Sequence, residues 1–572
     1  MTNFNFEDLS IIKFLETVNK KYDGRTALQI KTEAGTFRKL TFSELGKQAV
    51  NVSSALIKLG VKKGEKVAII SENRPAWAVA CFGTILASGV VVPVDVKLSE
   101  KEVQFILNHS ETKCVFVSGK YLDVIETLRS VLPYLEHVIL LDDIKHHDEI
   151  LMKDLKAQKQ EEKKRPIYPE DTALLVYTSG TTGVAKGIEL TYKNFLFQVH
   201  ALDEMIKYSD SDRFLSILPL NHTLEITGGL IAPLFAGACI TYSDSLKPDK
   251  LIALMKETKT TVMISVPLVL KMIHDAIMKK AGKLSPPKRK MFIFLLKTSR
   301  FMMSINRGIG KVFFRSVHDE FGGHLRGFIT GGAPLNKEVE ININALGFRV
   351  LQGYGLTETA PVISVNTLKY NRIGSAGKAI PGVEVKVVKK SKTDPTGEIA
   401  TKGPHMMRGY YKDPDKTKEV IKDGWLHTGD IGHVDRRGYL YISGRERNLI
   451  VLGSGKKVFP EEVEAVIEKS PYIKEICVLA RISTKGRKAG TEEVYAVIVP
   501  ELDVFTPAEK YDKLSIKERL KQELSRLSKE LASYKRISAF EVWEDELPKT
   551  ASRKIKRKAV EEKVGITGRM IK

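Results

Sequence analysis

Residues Tyr177 to Gly187, reading YTSGTTGVAKG, gather four small hydroxyl side chains, three glycines and one lysine into eleven positions. Gly180, Gly183 and Gly187 can adopt backbone angles closed to other residues and let amides approach an anion with no Cβ in the way. Thr178, Ser179, Thr181 and Thr182 add hydroxyl donors, and Lys186 adds a charge. One such charge about 4 Å from a phosphate oxygen contributes roughly 4 kcal/mol before desolvation, at an effective dielectric near 20. The chemistry is that of a phosphate clamp. A flexible Ser/Gly linker has a similar composition, but this density directly after the apolar run Ala173 to Tyr177 argues against one. A P-loop is excluded, because Lys186 is followed by Gly187 rather than by Ser or Thr.

Two further stretches pair glycines with polar groups. Gly331-Gly332-Ala333-Pro334 and Gln352 to Thr359, reading QGYGLTET, each follow a strand-like run. An open parallel sheet places its ligand loops there, outside the carboxyl ends of strands. Tyr354 between glycines could stack on a planar base, and Glu358 could hold magnesium through oxygen. Taken singly, each stretch is also what a tight turn looks like.

The elements that must position these residues are legible as an alternation. From Ala27 to Asp142, short apolar runs such as Val67 to Ile70, Gly89 to Val92 and Cys114 to Val117 alternate with helical periodicities. One helix is opened by Ser99 with Glu102 as a capping box. Such alternation predicts an α/β fold with doubly wound, mostly parallel sheets. The clamp is expected to join a strand to a helix that begins at about Leu190. Beyond it, strands are expected at Arg213 to Leu218, Cys239 to Tyr242, Thr261 to Ser265 and Arg326 to Thr330. Past Gln352, closely spaced glycines predict a small antiparallel β barrel or sheet. From about Asn448 come strands at Ile476 to Ala480 and Tyr495 to Val499 and a helix from Ser515 with Glu518 as its capping-box partner. On that helix Leu520, Leu524, Leu527 and Leu531 form one apolar stripe.

The segment Lys279 to Arg315 is strongly basic and interleaved with Met-Phe-Ile-Phe-Leu-Leu and Phe-Met-Met. It reads as a charged helical pair packed on the surface, with a basic, apolar membrane-facing patch as the sharper alternative.

A chain of 572 residues exceeds one core and implies at least two domains. The 91 basic residues against 69 acidic ones give +22, which favours anionic partners without choosing among polyphosphates, membranes and nucleic acid. Cys81, Cys114, Cys239 and Cys477 lie far apart, so neither a zinc site nor a disulfide framework is indicated, in keeping with a reducing compartment. The first residues lack the basic-then-apolar pattern of a secretory signal. The apolar stretches Ala78 to Val96 and Ile226 to Thr241 are broken and short for a bilayer span, which points to a cytoplasmic protein with peripheral membrane contact left open.

Taken together with the clamp, the motifs form a series. LPLNHTLE at Leu218 to Glu225, GGAPL at Gly331 to Leu335, QGYGLTET, GWLHTGDIG at Gly424 to Gly432, GRERNLIVLGSGKKVFPEEVE at Gly444 to Glu464 and LPKTASRKIKR at Leu547 to Arg557 complete it. In this order the chain resembles the adenylate-forming enzymes, and within them the long-chain fatty acyl-CoA synthetases. The resemblance covers nearly the whole chain. It implies an adenylation domain over residues 1–446, comprising the parallel sheets and the small barrel, and a small mobile α+β domain over 447–572.

What the resemblance implies can be carried over by position. Thr178, Ser179, Gly180, Thr181, Thr182 and Lys186 would hold the β and γ phosphates of ATP. Gly332, Ala333, Pro334, Tyr354 and Gly355 would line the adenine pocket, and Thr357 would bind the α phosphate. Magnesium would sit on Glu358 and Thr178. Asp430 would accept hydrogen bonds from the ribose hydroxyls, Arg445 would contact ribose or phosphate, and His222 would stand at the acyl carboxylate entrance. Lys554 would bridge the attacking carboxylate and the α phosphate, a task that needs a cation because carboxylate and polyphosphate repel. The loop Gly453-Ser454-Gly455-Lys456-Lys457 would pass the pantetheine of CoA.

Three positions depart from the family pattern. Ala185 replaces the usual Pro, Arg553 stands where Gly is frequent, and Arg447 occupies the hinge position usually filled by Asp or Lys. The implied activity is an AMP-forming fatty acid–CoA ligase acting on medium- to long-chain acids. The rivals are a ligase that passes the acyl group to a carrier protein and, from another class, a non-catalytic nucleic-acid- or membrane-binding protein. Nucleic acid is not an expected partner of the ligase.

Overall fold

The computed structural model describes residues 11–142, 150–155, 165–179, 185–305, 307–389, 395–452, 454, 456–483, 491–549 and 554–566. The chain forms two units, one of Met1–Val385 with Thr401–Leu426 and one of Lys386–Ala400 with His427–Lys572.

Two parallel-rich sheets dominate the first unit. One runs in the order Lys378–Ala379, Val362–Val365, Arg349–Gly355, Gly327–Thr330, Val262–Ser265, Arg213–Ser216, Cys239–Tyr242, Thr26–Lys31, Phe37–Thr41. Its six central strands are parallel, while its outer strands pair antiparallel. The other runs Gly409–Tyr410, Ala185–Thr191, Thr172–Ser179, Val90–Val94, Lys66–Ile70, Thr112–Val117, His137–Leu140, Ile150–Leu151. Its central strands carry continuous apolar runs because both faces are covered. Val67 and Ile69 enter one core while Ala68 and Ile70 enter another, as the two-residue period of a strand requires. The expected alternation, strands at Val262–Ser265 and Gly327–Thr330 included, is present. The capping box at Ser99 and Glu102 is also formed.

Two local expectations are corrected. The clamp does not lead into a helix at Leu190. Ala185–Thr191 is a strand that returns antiparallel to Thr172–Ser179, and the helix starts only at Tyr192, capped by Thr191 and Asn194. Ile188 and Leu190 are buried on either side of Glu189, a short alternation that favours strand over helix. The late helix begins at Lys513 rather than Ser515, since the Asp512 carboxylate accepts from the amides of Leu514 and Ser515 and so caps it.

The second unit contains a three-stranded sheet, Ile473–Ile482, Glu492–Pro500 and Ala539–Val542. Leu520, Leu524 and Leu527 of the helix pack on one face with Ile476, Val478 and Ile498, the core contact their period implies, whereas Leu531 joins the same core from extended backbone after the helix has ended at Leu527. The opposite face, with Cys477, Leu479 and Val497, is covered by Leu547 and by Val560 of the helix Arg557–Val564. The glycine-punctuated stretch forms a five-stranded sheet of Glu384–Val388, Gly397–Lys402, Ile421–Lys422, Trp425–Val434 and Leu440–Arg445. Among the described residues no helix is long and apolar enough to cross a membrane.

Candidate active site

The strands Thr172–Ser179 and Ala185–Thr191 place Thr178 opposite Lys186 at the neck of the clamp loop. Gly180, Thr181 and Thr182 lie outside the described residues, as does the side chain of Ser179. Lys186 projects its Nζ over the ring of Tyr410, 5.3 Å from the centroid. The Tyr410 hydroxyl in turn donates to Glu358 Oε1 at 3.0 Å. Tyr410 reaches this position because Gly409–Tyr410 pairs antiparallel with Glu189 and Ile188 on the clamp's own second strand. A clamp cation, a phenol and the carboxylate of QGYGLTET therefore meet.

Glu358 lies in a single turn, Thr357–Thr359, that is fixed from several sides. The Met407 amide donates to the Glu358 carbonyl at 2.8 Å. Gln198 donates to the carbonyls of Thr359 and Val362 at 2.8 and 2.7 Å, and the Thr227 hydroxyl to that of Ala360 at 3.0 Å. Gly355 runs so close to this turn that a Cβ there would lie 1.8 Å from the Pro361 carbonyl, which only glycine avoids.

Gly331 to Pro334 and Tyr354 leave the ends of neighbouring parallel strands, since Thr330 pairs with Gln352. Gly332 has φ +83°, a left-handed conformation that favours glycine. Gly332 and Pro334 are exposed, and Ala333, Tyr354, Gly355, Thr357 and Glu358 are half-buried. The structure thus gathers the clamp's neck, both glycine loops and Glu358 in the first unit.

His222 is half-buried, and its carbonyl accepts from the amides of Glu225 and Ile226 as a seven-residue π-helix, Glu225–Ile231, begins. Single π turns recur at functional sites. Glu225 is fully enclosed, and burial pushes its carboxyl up to about 8, an effect Ser216 partly offsets. Gly229 makes the room, because a Cβ there would stand 2.4 Å from Glu225 Oε1. Near neutral pH the group is mostly a neutral acid.

In the second unit Asp430 and Arg445 face each other across paired strands. Arg445 Nε lies 2.9 Å from Asp430 Oδ1, with the aspartate side chain 5% exposed and the arginine 38%. The Thr428 hydroxyl accepts from the Asp430 amide at 3.1 Å and donates to the Ile399 carbonyl at 2.7 Å, which fixes the backbone beneath the pair. His427 bonds Glu398 at 2.7 Å, and the Gly429 amide donates to the same carboxylate.

Lys554 sits at the end of a short loop closed by pairing between Lys549 and Ile555 and by a 2.7 Å bond from the Lys556 amide to the Pro548 carbonyl. Both flanks are anchored. Lys549 bonds Glu475 and Glu546, and Glu475 also accepts from the Leu547 amide at 2.9 Å. Arg557 pairs two-pronged with Glu464, at 2.6 and 3.0 Å, and approaches Glu461, so its guanidinium is held charged although burial opposes that. Of the basic run, Lys549 and Arg557 are anchors, whereas Lys554, Lys556 and Lys558 are exposed. Gly455 lies outside the described residues. Lys456 stands over the Tyr534 ring at 4.6 Å.

Tyr410 and Glu225 are missing from the sequence-predicted site. Tyr410 carries no local signal beyond a Gly-aromatic pair, since its place comes from long-range strand pairing. Glu225 ends a quoted motif, and an acid between Leu224 and the apolar Ile226 to Ile231 stretch was the signal for a buried carboxyl.

Residues 15–411 match the model for AMP-binding enzymes, and residues 462–554 match that for the AMP-binding enzyme C-terminal domain. The chain belongs to the AMP-binding enzyme family. Among relatives it is 30% identical over 478 residues to fatty acyl-CoA synthetase B of Dictyostelium discoideum, covering 78% of this chain and 70% of that protein. It is 31% identical over 481 residues to the peroxisomal long chain acyl-CoA synthetase 6 of Arabidopsis thaliana, covering 79% and 68%. The crystal structure of ATP-bound MatB from Rhodopseudomonas palustris matches with TM-score 0.76 and 26% identity over 96% of this chain and 98% of that one.

Proposed function

We propose that the chain is an AMP-forming acid–thiol ligase that activates medium- to long-chain fatty acids with ATP and transfers them to CoA. The observation that supports this reading is the meeting of Lys186, Tyr410 and Glu358, in which the cation proposed for phosphate and the carboxylate proposed for metal both touch one tyrosine. The names of the long-chain acyl-CoA synthetase relatives support the substrate class.

In the first half-reaction an oxygen of the fatty acid carboxylate attacks the α phosphorus of ATP, the α–β bridging bond breaks, and pyrophosphate leaves. The clamp, Thr178 to Thr182 with Lys186, holds the leaving pyrophosphate. Thr357 orients the α phosphate, and Lys554 neutralises the charge that builds between carboxylate and phosphate in the in-line transition state. Gly332 to Pro334 with Tyr354 and Gly355 take the adenine. Asp430 takes the ribose hydroxyls, for which a buried acceptor suits two adjacent donors, and Arg445 holds its carboxylate in place through their ion pair. His222 positions the acyl carboxylate. In the second half-reaction the CoA thiolate attacks the acyl carbonyl and AMP leaves, with Gly453 to Lys457 serving the pantetheine.

A magnesium ion fits this donor set, because a carboxylate and a hydroxyl, Glu358 and Thr178, are hard oxygen ligands of the kind it shares with substrate phosphates. Bound there, it supplies charge neutralisation to the polyphosphate. Its location in the cytoplasm is proposed on the four buried, widely separated cysteines.

The test is pyrophosphate exchange into ATP with a panel of short to long acids, followed by thioester formation with CoA or with an acyl carrier protein. Exchange that requires a medium- or long-chain acid, and thioester with CoA, is expected. Exchange with no acid in the panel would overturn the reading, and turnover only with the carrier protein would overturn its acceptor.

A further inference from the structure

Between Lys279 and Arg315 the sequence holds eleven Lys and Arg and no Asp or Glu. Its centre is the helix Pro286–Ser304, which lies in the first unit. One face is fastened down. Leu296 and Ser299 are buried, the Ser299 hydroxyl donates to the Ala345 carbonyl at 2.6 Å, and the Phe292 ring packs edge-on against Phe314 at 5.2 Å. Arg300 ties the same side to Glu338 and Asn342.

The opposite face is what this anchoring presents to solvent. Lys290, Phe294, Lys297 and Phe301 recur three or four positions apart and so share one stripe, with Phe294 64% and Phe301 63% exposed. Met291 and Ile293 on the same helix, and Ile305 and Val312 just after it in the chain, are exposed apolar residues as well. Water-exposed aromatics and aliphatics concentrated in one place mark an interaction surface.

We propose that this stripe is a docking surface for an anionic lipid bilayer. The charge is complementary: a run of cations with no acid meets the negative leaflet, each contributing favourably within a Debye length. Lysine stems reach past the phenylalanines so that ammonium groups meet headgroups while the rings enter the acyl boundary. The apolar residues also discriminate among anionic partners. Aromatics alone would suit stacking on single-stranded nucleic acid, but Met291, Ile293, Ile305 and Val312 gain nothing from bases and gain from hydrocarbon. A second copy of the chain in a two-fold contact would set the same cations against themselves.

The experiment is flotation of the full-length protein with vesicles of phosphatidylcholine alone and of phosphatidylcholine mixed with phosphatidylserine. Binding to the mixed vesicles, weakened by salt, is expected, with little to the neutral ones. Lys290→Gln with Lys297→Gln should lower the partition coefficient about 25-fold, at about fivefold per charge. Phe294→Ser with Phe301→Ser should lower it at least about tenfold through lost apolar insertion. Both variants should keep turnover of a soluble medium-chain acid, which shows that they are folded.

Equal flotation of wild type and both variants would overturn the proposal. So would salt-dependent capture of single-stranded RNA without flotation, or a dimer in sedimentation that either variant dissociates. Turnover reads the ligase assignment and flotation reads the docking surface, so each can fail alone.

Discussion

Replacing Glu225 with Gln should stabilise the first unit by an amount that grows with pH. Burial moves this carboxyl from 4.5 to about 8 in the folded chain. Between those values the unfolded chain has released a proton that the folded chain still holds, so stability falls as pH rises through the window. Below it both states are protonated and the residue adds no pH dependence. The two titrations together cost about 1 kcal/mol at pH 5 and about 3 kcal/mol at pH 7. Gln keeps the shape and has no such proton to hold, so it should gain roughly 2 to 3 kcal/mol on the wild type between those conditions. Over a unit of roughly 410 residues, with an unfolding entropy of about 2 cal/mol/K per residue, that is a Tm difference widening by about 3 °C. Scanning calorimetry of both proteins at about pH 5, 6 and 7 reads it directly. Melting curves that stay parallel, or that converge as pH rises, would refute a buried, protonated Glu225.

Lys554→Ala should slow acyl-AMP formation by about two to three orders of magnitude, as losing a transition-state donor does, yet leave conversion of supplied acyl-AMP to thioester; equal loss in both half-reactions, measured separately, would remove its assignment. Tyr410→Phe keeps a ring under Lys186 but deletes the donor to Glu358, so the magnesium concentration giving half-maximal exchange should shift by about tenfold, the value of one hydrogen bond to a charged group, with little change in Tm. Asp430→Asn should raise the ATP KM at least about tenfold while kcat changes less; an unchanged KM would take Asp430 out of nucleotide binding. Arg557→Gln strands Glu464, and to a lesser degree Glu461, as buried carboxylates and should destabilise the second unit by about 3 kcal/mol, visible as a separate, earlier melting transition.

What the sequence made legible were the features written in local patterns. Apolar runs of Val67–Ile70 and Cys114–Val117 imply strands covered on both faces, and glycines mark both a left-handed turn at Gly332 and a strand end at Gly355 where a side chain has no room. The chemistry-bearing stretches were recognisable because hydroxyls, glycines and charges lie close together in them. Local pattern failed where partners are distant. The strand Ala185–Thr191 has only a brief alternation, and its pairing with Gly409–Tyr410 decides its conformation. Tyr410 enters the site through the same pairing. The raised pKa of Glu225 depends on its complete burial, which distant segments provide, and the capping role of Asp512 won over Ser515 because an ionised acceptor competes better for the first amides of a helix. The assignment of Lys554 within a run of cations is ambiguous by composition, and the structure removes only Lys549 and Arg557 from the choice, because both pair with largely buried carboxylates.

The two anchors flanking that loop also bear on how the chain can change over generations. Lys549 and Arg557 answer to specific carboxylates, Glu475 and Glu464, so each can be altered only together with its partner, and replacing either cation alone leaves an acid stranded. Lys556 and Lys558, beside them, carry the same formal charge but stand exposed rather than half-buried. A stretch that looks uniformly basic therefore holds at least two residues, Lys549 and Arg557, that must co-vary with acids far away in the sequence.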